Sequence, residues 1–258
     1  MAINGKDKAS SVPSATPSRE ADAEPRAPVR GAAGELAARS SDADVGAFLA
    51  RLKQSPGTGK SGGRLIFAMD ATMSRQPTWD MALALQADMF GAVAAIGGLE
   101  VQLVYFRGAG ECRASKWVGN PQALAALMTR VACAGGYTQI RKVLSHAQGE
   151  AAARAVDALI YVGDAMEEEI DDLCGRAGEL ALRKVPVFLF QEGTDQRAER
   201  AFREIARLTK GAYCRFDAGS AAQLKALLSA VAVYATGGRR ALAARTDAAA
   251  RRLIEQLK

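Results

Sequence analysis

The chain is short of the side chains that build zinc sites and thiol chemistry. It has one histidine, His146, and four cysteines, Cys112, Cys133, Cys174 and Cys214. The cysteines are widely separated and form no C-x-x-C pair, so no zinc-ligand spacing exists. Reduced thiols, mostly buried, are the expectation for such a set in a cytosolic protein. His146 has no Ser or Cys motif around it, which argues against a general-base role. No run of about 18 consecutive apolar residues occurs, so no membrane span is predicted. The opening residues Met1 to Lys6 lack the apolar stretch of a secretory signal. A cytoplasmic location and no membrane partner are therefore the default expectations.

A phosphate-binding loop is lacking too. Gly57-Thr58-Gly59-Lys60-Ser61 resembles the end of one, but Gln54 stands where its first glycine belongs. A strand rather than a helix follows, so a linker is predicted. The net charge of +6 raises the question of nucleic acid. The basic residues are dispersed except near the C-terminus, which argues against that partner.

What the chain does have is apolar content, 49% of 258 residues, enough for one large α/β domain with appendages. Residues 1–62 read as a largely disordered arm, because the stretch from Met1 to about Ser41 is dominated by Ala, Ser, Pro and charge. A short helix near 43–53 is predicted from Val45, Phe48, Leu49 and Leu52, capped by Asp42 or Asp44. Residues 63–236 alternate between strand-like and helix-like segments. Residues 237–258 form a basic tail, predicted helical, with only Leu242, Leu253, Ile254 and Leu257 as an apolar stripe.

Within 63–236 the apolar run Leu65 to Met69 predicts a buried parallel strand. A helix follows from Pro77 and Thr78 to about Ile96, with Met81, Leu85, Met89 or Val93, and Ile96 on one face. Val101–Phe106 is the next strand, and Cys112–Val118 is an antiparallel edge strand reached through the turn at Gly108-Ala109-Gly110. Asn120-Pro121 starts a helix through Leu124, Leu127 and Val131. After Gly135-Gly136, Thr138 opens a helix carrying Ile140, Val143 and Leu144. Strands at Ala158–Gly163, Val185–Phe190 and Ala212–Phe216 alternate with a helix whose first turns hold Glu167–Asp172 and with helices near 195–208 and 220–234. The predicted class is α/β: a doubly wound, mostly parallel Rossmann-like sheet with one short antiparallel edge strand, flanked by helices.

The first strand ends abruptly in Asp70, with hydroxyls at Thr72 and Ser74. The strand at Ala158–Gly163 ends in Asp164. Ligands of open α/β sheets gather beyond the carboxyl ends of strands, and two strands ending in aspartate can flank a switch point. The glycine loop before Thr138 can bring its hydroxyl to the same crevice. Such oxygen donors suit Mg²⁺ or Mn²⁺. The plainer alternative is that these residues cap the next helix.

In order and spacing, Asp70-Ala71-Thr72-Met73-Ser74, Gly136-Tyr137-Thr138 and Gly163-Asp164 resemble the metal-ion-dependent adhesion site (MIDAS) of von Willebrand factor A (VWA) domains. The likeness runs from about Arg64 to Ala235. Thr72 stands where the family pattern has its first serine, which keeps the hydroxyl. Ala165 stands where a glycine commonly follows the last aspartate. The resemblance implies a protein-interaction module, not an enzyme, with Thr72, Ser74 and Thr138 as direct metal ligands. Asp70 and Asp164 would act directly or through water. It further implies an open coordination position completed by a partner's Asp or Glu. Some bacterial relatives work beside AAA+ ATPases, which makes such a system a candidate partner by analogy.

Two alternatives remain at this point. A metal-dependent phosphoryl hydrolase would also place an aspartate at a strand end, but it usually has a carboxylate two residues on and a nearby Lys or Arg clamp. Here Thr72 holds that position and no lysine follows within the loop. A degenerate scaffold without metal is the other. Arg75 and Gln76 read as solvated loop residues, with contact to a partner's carboxylate as the alternative. Glu167–Asp172 read as complementing the dipole of the following helix. Trp79 and Trp117 read as interface anchors or as packing residues.

Overall fold

In the computed structural model, residues 62–95, 97–217 and 220–256 and positions 46, 47 and 50 are described. Most of the predicted arm, including the glycine linker and most of the helix near 43–53, lies outside the described residues. Six strands make one sheet: β1 (Gly63–Asp70), β2 (Leu99–Arg107), β3 (Glu111–Val118), β4 (Ala158–Gly163), β5 (Val187–Glu192) and β6 (Ala212–Phe216). Their order is β3-β2-β1-β4-β5-β6. Every neighbouring pair is parallel except β2 with β3. That antiparallel hairpin sits at the sheet edge, as the short Gly108–Gly110 turn requires, because a turn so short cannot carry a parallel crossover.

Every residue of β1, β4 and β5 is buried, which explains their nearly continuous apolar sequence. Side chains alternate between two cores. Leu65, Phe67, Met69, Ile160 and Phe190 face one layer, whereas Ile66, Ala68, Tyr161 and Leu189 face the other. The first layer is built from α1 (Gln76–Val93), α2 (Pro121–Met128) and α6 (Ala221–Gln256). The second is built from α3 (Ile140–Ala153), α4 (Ile170–Leu182) and α5 (Gln196–Thr209). The predicted α/β class is the observed one. Helical dihedrals in α6 break at Gly238, which has φ 63° and ψ −165°.

Three local details differ from expectation. The buried face of α1 is set by Trp79, Ala82, Gln86, Met89 and Val93, while Met81 and Leu85 are only partly buried at its margin. Trp79 is a core residue: it is 2% exposed, and its indole N–H donates to the Met128 carbonyl at 3.2 Å. β5 starts at Val187 rather than Val185, because Lys184 takes φ 60° and the Val185 amide closes the end of α4 on Leu180. The helix expected to open at Thr138 begins at Ile140, its first turn held from outside rather than by its own side chain.

Candidate metal centre

The chain leaves β1 toward β2 on one side and later enters β4 on the other, so the winding reverses between β1 and β4. Asp70 is the last residue of β1, and Asp164 follows the last residue of β4. Met69 pairs with Val162 across this junction, so the two aspartates end adjacent parallel strands. The crevice at such a reversal is where ligands of open α/β sheets bind.

The loop after β1 is organised by hydrogen bonds from one carboxylate to the next. The Thr72 amide donates to Asp70 Oδ1 at 2.7 Å. Thr72 Oγ1 and Ser74 Oγ are 3.3 Å apart, and Ser74 Oγ donates to Asp164 Oδ2 at 3.3 Å. The helix-capping alternative fails here. The short 3-10 turn Met73–Arg75 and α1 begin after Thr72 and Arg75, and neither residue makes a side-chain capping bond.

Asp70 is 2% exposed. Burial pushes its carboxyl up to about 6, against the lowering effect of the Thr72 hydrogen bonds; the nearby Asp164 charge adds to the rise, and Arg75 opposes it. Tyr161 lies below, on the same face of the sheet as Ile66 and Ala68. Its hydroxyl is buried and has no hydrogen-bond partner. Burial first, then the charges of Asp70, Glu168, Asp164 and Glu167, push it well above the ordinary tyrosine value, so it stays neutral. Gly163 leaves it room, since a Cβ there would sit 2.8 Å from that oxygen.

Thr138 reaches this end of the sheet on a loop held by backbone contacts. The Ala134 amide donates to the Ala71 carbonyl at 3.0 Å and the Tyr137 amide to the Gly108 carbonyl at 3.1 Å. Gly136 lies against Gly108 in a parallel bridge, where a Cβ would come within 2.2 Å of the Gly108 nitrogen. The Thr138 hydroxyl donates to Glu167 Oε2 at 2.6 Å. Among the described residues no hydrogen bond joins it to Asp70, Thr72, Ser74 or Asp164. The structure thus links four of the five expected ligands directly and holds the fifth on a neighbouring carboxylate.

The acidic run is divided between the expected task, kept by Asp171 and Asp172, and another taken by Glu167 and Glu168. α4 starts only at Ile170, and Asp171 and Asp172 alone lie in its first turn. Glu167 and Glu168 reach to the start of α3 instead. Glu168 accepts from the Ile140 amide at 2.5 Å and from the Arg141 amide at 3.0 Å. Carboxylates at a helix N-terminus satisfy its orphan amides and complement its dipole, here from a distant loop.

Arg75 is not a solvated loop residue. Its side chain is 11% exposed; it pairs with Asp164 Oδ2 at 3.1 Å and with Glu192 Oε2. Its Nε lies 3.4 Å from Ser74 Oγ. Glu192, which also accepts from the Thr78 hydroxyl, is the last residue of β5. Glu192 carries the same strand-ending-in-carboxylate signature as Asp70 and Asp164. Placing the end of β5 at Phe190 hid it.

The donor set consists of oxygens alone, which fits a hard divalent cation. The described residues contain no group of three or more His, Cys, Asp or Glu arranged as metal ligands. A cation here therefore depends on the Thr72 and Ser74 hydroxyls beside Asp70 and Asp164. The desolvated Asp70 carboxyl is the feature such a guest would relieve.

No family model matches the sequence, and no curated protein does. Solved structures are similar. Proximal thread matrix protein 1 from the mussel byssus, with a zinc-occupied MIDAS motif, is 14% identical with a TM-score of 0.54, over 67% of this chain and 46% of that one. The human COPII-coat protein Sec24c is 12% identical with a TM-score of 0.50, over 69% and 32%. An aerotolerance-related membrane protein from Bacteroides fragilis is 18% identical with a TM-score of 0.48, over 63% and 96%. The byssus protein and Sec24c, at TM-scores of 0.50 and above, share this fold, which is of the von Willebrand factor A type. No helix among the described residues is long and apolar enough to cross a membrane.

Proposed function

We propose that the chain is a metal-dependent protein-interaction module whose site is formed by Asp70, Thr72, Ser74, Thr138 and Asp164, with Mg²⁺ or Mn²⁺ as the ion. The observation that carries this reading is the hydrogen-bonded series Asp70–Thr72–Ser74–Asp164 across the sheet's switch point. A bound divalent cation would supply an open coordination position for an Asp or Glu carboxylate of a partner protein. Thr72 and Ser74 present neutral oxygens, which leave more of a cation's charge for an incoming carboxylate than direct anionic ligands would.

The surroundings support a protein as the partner. Met73 and Tyr137 are two of three exposed large hydrophobic residues among those described. They sit on the two loops joined by the Ala134–Ala71 hydrogen bond, beside the crevice. Methionine and tyrosine are enriched in protein interfaces relative to the rest of the surface, so two of them exposed beside the site favour a protein ligand. The mussel protein's occupied MIDAS motif is consistent with a divalent ion at this position of the fold. An AAA+ ATPase system as the partner belongs to this proposal by family analogy, and a cytoplasmic setting by default.

Calorimetric titration of Mg²⁺ and Mn²⁺ into the wild type and Asp70→Ala tests it. The expected result is saturable binding in the wild type and none in the variant, with partner capture abolished by a chelator. Metal-dependent turnover of a generic phosphate ester, lost in Asp70→Ala, would replace the binder with a hydrolase.

A further inference from the structure

The residue that neither the motif nor its spacing assigns is Arg75. Its guanidinium touches two of the expected ligands, Ser74 at 3.4 Å and Asp164 at 3.1 Å. The atom it neutralises, Asp164 Oδ2, is the one that accepts from Ser74 Oγ. On its other side it is paired with Glu192, which Thr78 also holds. Glu192 is 8% exposed, so this second partner is built into the wall of the crevice.

We propose that Arg75 is the affinity-setting residue of this site, an internal cation that competes with a divalent ion for Asp164. The inference rests on the metal-binding reading above. A carboxylate oxygen already shared by a guanidinium and a hydroxyl has less to offer an incoming cation. Arginine cannot shed its charge at accessible pH, so the competition ends only when the side chain moves or its contact loosens. Glu192 makes that movement feasible. A guanidinium that leaves Asp164 keeps one carboxylate, and no bare charge is left buried. The same arrangement favours ions of high charge density, because a weakly attracted monovalent ion does not displace a forked, charge-assisted contact.

The test uses the full chain and Mn²⁺ and Mg²⁺ alone as probes. Calorimetry is run on the wild type, Arg75→Gln, Arg75→Lys and Asp70→Ala, with Arg197→Gln as a charge control. Arg197 contacts Glu168 and Glu169 and no expected ligand. Arg75→Gln is expected to bind about tenfold more tightly, the effect of losing one charge-assisted contact. Arg75→Lys, which cannot fork between two carboxylates, falls between it and the wild type. Arg197→Gln stays within about twofold, as expected for a charge whose contacts lie outside the ligand set. The rise in melting temperature on adding metal is larger in Arg75→Gln than in the wild type.

Unchanged or weaker binding in both Arg75 variants overturns the inference, and so does an equal gain in Arg197→Gln. If the wild type binds, Asp70→Ala does not, and the Arg75 variants match the wild type, only this inference falls. If no chain binds either ion, the metal reading falls and takes this one with it. Should Arg75→Gln fail to fold, Arg75→Lys carries the comparison.

Discussion

Thr138 and Glu167 hold each other in both directions. The Thr138 hydroxyl donates to Glu167 Oε2 at 2.6 Å, and the Glu167 amide donates back to that hydroxyl at 3.2 Å. The Thr138 amide gives the same carboxylate oxygen a further bond at 2.9 Å. This clasp joins the loop after α2 to the loop after β4, so the residue expected to complete the cation shell is positioned by the acidic run. Thr138→Val should lower unfolding stability by about 1–2 kcal/mol through loss of a charge-assisted bond. Thr138→Ser should stay within about 0.5 kcal/mol, in the range of changes that leave such features intact. Urea denaturation without metal measures both, and a loss in Thr138→Ser with none in Thr138→Val would show that the methyl group rather than the hydroxyl matters.

Asp70 illustrates a conflict between stability and binding. Its carboxyl is desolvated, and the hydrogen bonds from Thr72 offset this only in part. Asp70→Asn should therefore raise the melting temperature of chelator-treated protein while abolishing metal binding. A calorimetric scan with and without Mg²⁺ reads both effects. A lower melting temperature in the metal-free variant would mean that the charge itself holds the loop.

Gly136 is fixed by close approach. Its Cα faces Gly108 so tightly that an added Cβ would meet the backbone nitrogen at 2.2 Å. Backbone on both sides leaves nothing flexible to yield. Gly136→Ala should cost about 2 kcal/mol or more, in the range of overpacked sites. It should also weaken metal affinity by shifting Thr138. Denaturation and metal titration of the one variant check the two consequences together.

His146 supplies a clean pH probe because it is the sole histidine. Its Nε2 lies 2.9 Å from Gln102 Oε1 and 3.9 Å from Glu150. Burial lowers its pKa below the ordinary value, and the Glu150 charge partly offsets this. A histidine depressed in the folded state stabilises the fold fully above the unfolded value of about 6.5. That contribution is lost as pH falls through the lower, folded value. The imidazole should therefore titrate below 6.5 by NMR, and further below in Glu150→Gln. The acid-side loss of stability between those values should shrink in His146→Gln. A midpoint above 6.5 would show that Glu150, not burial, dominates.

The order of strands and helices was legible in the sequence because burial leaves a direct mark. Strands covered on both faces read as apolar runs, and Ala158–Gly163 and Ala212–Phe216 have their predicted bounds. The edge hairpin was legible from turn length. Asp70 and Asp164 were visible for a related reason: a carboxylate that abruptly ends an apolar run marks a strand's exit from the sheet. Glu192 ends its strand too, but Gln191 stands between it and the apolar run, so the run points to Phe190 as the strand's end.

What the sequence alone determined was the α/β class, the parallel sheet and the residue types available at its carboxyl edge. Hydrophobic period and turn chemistry act over a few neighbouring residues, so a linear reading can recover them. Only the tertiary structure decided who pairs with whom at that edge: Thr138 with Glu167, Glu168 with the start of α3, and Arg75 between Asp164 and Glu192. Those contacts join residues 27 to 117 positions apart. Their energies come from charges brought together by folding, and nothing local in the chain records which of the many candidates will meet.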